Sequence, residues 1–285
     1  MHLGIEGRLG NQLFQYAALK SLSLHNKYRC VLPLLSSRYW HGQRCLLDNF
    51  NLFCEYTEDF SSLEYLYKEP HIDVFDENFY NIPDNTSIRG FFQNIKYFEN
   101  YKDRIIKELT PLPDIYNKAK KILLKYRQKY PDSELVAVHI RRGDMVNVDV
   151  NKEFGNRMFG QGINLAPDSL WGQYIVEAKK VFAGKKVKYL LFIGGSRNND
   201  DTEDLKWISH NFDNTNHILA STSDVLLDYS LISLCNHNIL CHATSFGWWA
   251  AYINSNPNKI MVAPKDYFMD GLNAERLINN EFTPI

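Results

Sequence analysis

Apolar positions along this chain fall into two rhythms. Leu13, Phe14, Ala17, Ala18 and Leu22 recur at helical spacing behind a short apolar run at residues 2–5 and the turn Gly7-Arg8-Leu9-Gly10-Asn11-Gln12, which predicts strand, glycine turn, helix. Residues 30–35 predict a second strand, and residues 36–59 are rich in aromatic and polar residues without a clear period. Residues 65–74 mix apolar and charged positions, in keeping with short strands. Residues 87–93 predict another strand, and residues 95–109 a helix entered through Asn94 and ended by Pro111 and Pro113. From Asp114 to about Tyr130, Ile115, Ala119, Ile122, Leu123 and Tyr126 form an apolar stripe, with Lys118, Lys120, Lys121 and Lys125 mostly on the wet side. The domain boundary is expected along this helix, giving domains 1–125 and 126–285.

The second half reads differently. Leu135-Val-Ala-Val-His-Ile140 is a strand-forming run that ends in Arg141-Arg142-Gly143-Asp144. A long glycine-containing segment, 145–168, precedes a helix capped by Asp168 and running to Phe182; a loop of that length is more often functional than idle. Strand runs follow at 188–193, 217–220, 238–242 and 259–263. Helices are expected at 205–210, from Val225 to Leu234 behind a Ser223 or Asp224 cap, and after Ala243-Thr-Ser-Phe-Gly247. The tail beyond Pro264 reads as irregular. Alternating strands and helices argue for a parallel sheet with helices on both faces.

Composition narrows the chemistry. Across 285 residues the net charge is -1, so bulk electrostatics suggest no nucleic-acid partner. The five cysteines are scattered without C-x-x-C spacing and read as reduced thiols of a cytosolic protein. No signal-peptide core and no membrane-length apolar run is present; peripheral association with the inner membrane face stays compatible with this reading. H-E-x-x-H and D-x-D are both missing, so no metal site is expected. Gly4, Gly7 and Gly10 form G-x-x-G-x-x-G, not the dinucleotide fingerprint G-x-G-x-x-G.

In a parallel sheet all carboxyl ends share one edge. Three of the expected strand ends carry polar or small groups: His139/Arg141/Arg142/Asp144, Gly194/Gly195/Ser196/Arg197 and Thr244/Ser245/Phe246/Gly247. Guanidinium forks and a helix amino end together suit a pyrophosphate. The arginine pair alone also fits a surface salt bridge. His139, on the same side of its strand as Arg141, fits a ligand contact and a hydrogen-bonded core histidine equally. Trp248-Trp249 reads as helix packing.

Three blocks then carry a resemblance. GRLGNQLFQYA near the start, HIRRGDM in the middle and SFGWWAAYI near the end resemble, in order and spacing, the α-1,2-fucosyltransferase family. The helix with Asp228, Leu231 and Cys235 fits as well. The resemblance implies an α/β, GT-B-like fold of two Rossmann-like domains facing each other across a cleft, the first binding acceptor and the second binding the donor. It implies GDP-β-L-fucose as donor substrate, no cofactor and no metal, a galactose-containing glycan as acceptor, and inversion giving an α-1,2 linkage, in the biosynthesis of a surface polysaccharide or similar glycan. By resemblance Arg141 holds the β-phosphate, Arg142 and Asp144 shape the site, and His139 sits beside the nucleotide. Thr244, Ser245 and Phe246 wrap the pyrophosphate, Gly194 lies near the donor, and Gly10 and Asn11 approach from the first domain. Arg141, Asp144 and Asn11 are the expected catalytic residues; Asp144 is the first candidate for the base, Glu6 a weaker one, and the alternative is that Asp144 only holds the arginines. Met145, Ala243 and Gly247 depart from the family pattern close to the donor, so another GDP-deoxysugar is the alternative donor and a non-catalytic sugar-nucleotide binder the alternative class. Residues 36–80 and 145–168 are the expected acceptor contacts.

Overall fold

The computed structural model describes residues 2–3, 7–35, 39–40, 43–72, 74–141, 168–194, 202–212, 215–242, 244–265 and 276–285. The chain divides into two compact units, Met1–Tyr116 and Asn117–Ile285.

In the first unit, β1 (His2–Leu3), β7 (Thr86–Arg89) and β6 (Tyr65–Lys68) form a parallel sheet in the order β1-β7-β6. A parallel pair joins β2 (Val31–Pro33) to β5 (Glu55–Thr57), and β3 (Tyr39–Trp40) with β4 (Gln43–Arg44) makes a short antiparallel pair. The stretch without period thus holds several short elements that bury little on a regular face. Helix α1 (Leu9–Asn26) is buried along most of its length, which is the state of a helix packed on several sides. Its interior position draws in charge: Lys20 Nζ lies 3.4 Å from Glu108 Oε1, both side chains 4% exposed, and Tyr16 donates its hydroxyl to Glu108 Oε2. Such a pair is tolerated inside only when each charge has partners.

The expected single helix over 95–109 is broken. Asn94 does cap a turn, accepting from the Lys96 amide at 3.1 Å, but residues 95–101 form two 3-10 turns, and regular helix is confined to α2 (Lys102–Glu108). Phe98, at φ -150° between the two turns, is buried against Phe14 of α1; its side-chain packing has overridden helical continuity. Helix α3 (Pro113–Lys129) follows with Ala119 and Leu123 buried and its lysines exposed.

Among the described residues, the second unit holds six parallel strands. They are β8 (Glu134–Arg141), β9 (Val187–Gly194), β10 (His217–Leu219), β11 (His237–Ile239), β12 (Met261–Ala263) and β13 (Phe282–Pro284), in the order β10-β9-β8-β11-β12-β13. The last strand corrects the expectation of an irregular tail: it pairs with β12 from Met261↔Phe282 to Ala263↔Pro284. Helices α4 (Asp168–Lys180), α5 (Thr202–Asn211), α6 (Val225–Leu234) and α7 (Ser245–Tyr252) alternate with the strands. Central β8 is buried on both faces. Val136, Val138 and Ile140 pack with Tyr174, Ile175 and Ala178 of α4 and with Phe182 just beyond it, while Leu135, Ala137 and His139 alternate to the opposite face. This explains why its sequence reads as a continuous apolar run; truncating Ile140 there to Ala would cost about 2–5 kcal/mol.

Counted within this unit, the strand order is 3-2-1-4-5-6, that of a Rossmann fold. The order reverses between β8 and β11, and such switch points are where open parallel sheets bind ligands.

Candidate active site at the switch point

Both strands at the reversal deliver polar groups to the carboxyl edge. β8 ends with His139, Ile140 and Arg141, and Arg141 lies opposite Gly194 in the register with β9. β11 leads through Cys241 and His242 to Thr244, the cap of α7. The Thr244 hydroxyl accepts from the Gly247 amide at 3.3 Å and lies 3.2 Å from His139 Nδ1. Cys241 Sγ is 3.7 Å from the same nitrogen, and the Phe246 ring is 5.2 Å from the imidazole.

His139 is 6% exposed. Burial, reinforced by the neighbouring Arg141 charge, holds its pKa down at about 3, so the ring is neutral at physiological pH. It ties the end of β8 to the amino end of α7. The fit is close: a Cβ on Gly247 would lie 2.7 Å from His139 Nδ1. Arg141 therefore stands two residues from a hydrogen-bonded junction with a helix amino terminus, whose partial positive charge adds to the guanidinium. Together they favour an anion with several oxygens.

The strand ends on the other side contribute a carboxyl group. Ser221 Oγ accepts from the Ile193 amide at 2.5 Å, and Asp228 Oδ1 accepts from the Thr222 amide at 2.8 Å. Asp228 is buried in the first turn of α6, and burial pushes its carboxyl up to about 7. Its side chain can thus switch between donor and acceptor near neutral pH.

Of the expected site residues, His139, Arg141, Gly194, Thr244, Ser245 and Phe246 lie at this edge of the second unit. Gly10 and Asn11 are in the first turn of α1 in the first unit. Arg142, Asp144 and Glu6 lie outside the described residues, as do Gly195, Ser196, Arg197 and the segment 145–167. Trp248 and Trp249 are fully buried, with Trp248 Nε1 donating to the Leu277 carbonyl at 3.0 Å, so they pack the core as expected. The cysteines are free thiols. Among the described residues no group of three or more His, Cys, Asp or Glu is placed to hold a metal ion, and no helix is long and apolar enough to cross a membrane.

Sequence reasoning gave no role to Asp228, Gln12 or Gln93. Burial of an acid in a helix's first turn has no local signal. Gln12 is 2% exposed; its Nε2 donates to the Gly7 carbonyl at 2.9 Å and its Oε1 accepts from the Leu46 amide at 3.0 Å. It locks the turn before α1.

Comparison with known proteins supplies the family. The chain is 22% identical to the O-antigen biosynthesis glycosyltransferase WbnK of Escherichia coli, over 97% of each chain. It is 24% identical to an alpha-1,2-colitosyltransferase of Escherichia coli, covering 98% of this chain and 94% of that one. It is 26% identical to galactoside alpha-(1,2)-fucosyltransferase 1 of Leontopithecus chrysomelas, over 87% of this chain but 64% of the longer relative. The fold is similar to that of the fucosyltransferase NodZ from Bradyrhizobium, with a TM-score of 0.52 at 13% identity over 87% of this chain and 91% of that one. The family model described as Glycosyl transferase family 11 matches residues 2–281, and the chain therefore belongs to that family of fucosyltransferase-like glycosyltransferases.

Proposed function

We propose that the protein transfers L-fucose from GDP-β-L-fucose to O2 of a galactose in a glycan acceptor, inverting the sugar carbon to give an α-1,2 linkage. The observation that carries this reading is the junction at the switch point, where Arg141 and the amino end of α7 are joined through His139 and Thr244. In this reading the second unit holds the donor and the first binds the acceptor, with the boundary along α3.

Arg141, with Arg142, stabilises the departing diphosphate. The acceptor hydroxyl attacks the anomeric carbon from the opposite face, the bond from that carbon to the β-phosphate oxygen breaks, and its electron pair leaves with GDP. Preorganised positive groups act where this charge develops. Thr244, Ser245 and Phe246 wrap the nucleotide side, Gly194 leaves room beside it, and Gly10 and Asn11 contact the bound substrates. The acceptor proton goes to a base, for which Asp144 is the first candidate. Charge neutralisation comes from arginine and helix dipole, without a metal. The enzyme works in the cytoplasm, peripherally at the inner face of the membrane if its acceptor is carried there.

A second reading has the same chemistry with another GDP-deoxysugar. The similarity to an alpha-1,2-colitosyltransferase supports it, as does Gly247, where the fucosyltransferase pattern carries serine. Turnover of a panel of GDP-sugars with galactosides, with the product linkage assigned by NMR, separates the two. GDP-fucose consumption with an α-1,2 product is expected, unchanged by EDTA. Consumption of a different GDP-sugar alone would move the assignment to the second reading, and strict metal dependence would overturn the arginine-only scheme.

A further inference from the structure

Phe92 has φ +51°, a left-handed conformation unusual for a bulky residue. Its side chain is fully buried, with ring centroids 5.8 Å from Phe79 and 5.2 Å from Tyr97. The turn is also pinned through its backbone: Glu69 Oε2 accepts from the Phe91 amide at 2.7 Å and the Phe92 amide at 2.9 Å. Glu69 itself follows β6, and its amide donates to the Arg89 carbonyl at 2.8 Å. Backbone strain that the surroundings over-determine is characteristic of functional sites. Here it sets the direction of the next residue. Gln93 Nε2 donates to Asn11 Oδ1 at 2.9 Å, between positions 82 residues apart.

Asn11 is thereby gripped from two sides. Gln93 occupies its oxygen, and its nitrogen lies over Gly7, where a Cβ would approach it to 2.4 Å. A carboxamide held by its oxygen presents its NH2 group as hydrogen-bond donor.

We propose that Gln93 is a positioning residue for the transfer reaction: the left-handed turn at Phe92, pinned by Glu69, aims Gln93 at the Asn11 oxygen, so that Asn11 meets a substrate oxygen as a donor. This rests on the reading of Asn11 as a substrate-contacting residue. It assigns Asn11 to charge stabilisation and not to proton removal.

The test uses the full chain with the GDP-sugar and acceptor that the wild type turns over, measuring GDP release for Asn11→Ala, Gln93→Ala, Gln93→Glu and the double variant Asn11→Ala/Gln93→Ala. Gln93→Ala should lower kcat by about tenfold with donor KM changed by less than about threefold. Gln93→Glu should lose more at pH 8, because a carboxylate cannot donate and favours the opposite amide orientation. It should recover relative to wild type as pH falls toward 5, when the introduced carboxyl regains a proton, whereas Gln93→Ala shows no such recovery. The double variant should be no worse than Asn11→Ala alone. An impaired Asn11→Ala beside both Gln93 variants at wild-type rate, or losses that add in the double variant, would overturn the positioning role. A fully active Asn11→Ala would remove the reading of Asn11 itself.

Discussion

Two helix starts, residues 7–11 at α1 and residues 244–247 at α7, each use a glycine to admit a polar side chain. At Gly7 the missing Cβ makes room for the Asn11 amide nitrogen, and at Gly247 for His139 Nδ1. The means differ. Gly7 has φ +78°, so its backbone as well as its space excludes a side chain. Gly247 lies inside a regular helical turn, and only space is at issue. Arg8 caps α1 without a side-chain hydrogen bond to it, and the turn is instead held by Gln12 from within the helix. Thr244 caps α7 directly, and the group that meets it comes from β8, 105 residues away. The first turn is closed by Gln12 on the Gly7 carbonyl and tied outward to Leu46 and Gln93, all within the first unit. The second is coupled to the strand that carries Arg141, so a disturbance there is transmitted to the proposed phosphate contact.

The largest expected effect comes from that contact. Arg141→Ala should lower kcat by roughly 10²–10³, about 3–4 kcal/mol of transition-state stabilisation, with the circular dichroism spectrum and melting temperature retained; a fully active variant would remove the phosphate role. Exchange of the two glycines sharpens the comparison. Gly247→Ala should push His139 off its contact and reduce kcat about tenfold or more with a modest change in melting temperature. Gly7→Ala should lower stability by about 1–2 kcal/mol in chemical denaturation, because alanine resists the left-handed backbone, and should lower kcat only as far as its Cβ displaces the Asn11 amide nitrogen. Equal effects of the two on melting temperature and on kcat would erase the distinction between a turn tied within the first unit and one tied to the strand that carries Arg141.

The smallest expected effect is a pH dependence. The buried Asp228 carboxyl sits at about 7, above the ordinary aspartate value of about 3.9. A raised folded-state pKa contributes stability that is complete below the unfolded value and lost as pH rises through about 7. Asp228→Asn, uncharged throughout, should therefore flatten the fall in melting temperature between about pH 4 and pH 7.5; an unaltered slope would contradict the buried acid. His139 works in the opposite direction. Its depressed pKa of about 3 contributes stability present above the unfolded histidine value of about 6.5 and lost as pH falls below it.

Much of the architecture was legible because period and length report burial directly. The apolar run at 135–140 marked a central parallel strand, and Leu13 to Leu22 marked α1. The failures occurred where local pattern and packing disagree. Residues 95–101 have helical spacing, yet burial of Phe98 against Phe14 breaks the helix into turns. The residues around Phe282 show little strand signal, yet β12 offers an unpaired edge and the tail completes it.

For the site, the sequence by itself determined the donor set and its likeness to the fucosyltransferase blocks: a histidine and arginines closing one strand, and a Thr-Ser-Phe-Gly helix start after another. Only the tertiary structure decided what those residues do to one another. Strand order brings β8 and β11 side by side, so His139 becomes a neutral, buried link to Thr244. The fold likewise buries Asp228 and brings Gln93 to Asn11. Those pairings join positions many tens of residues apart, and the balance of desolvation against partner charge that sets each group's chemistry exists only once the chain has closed around it.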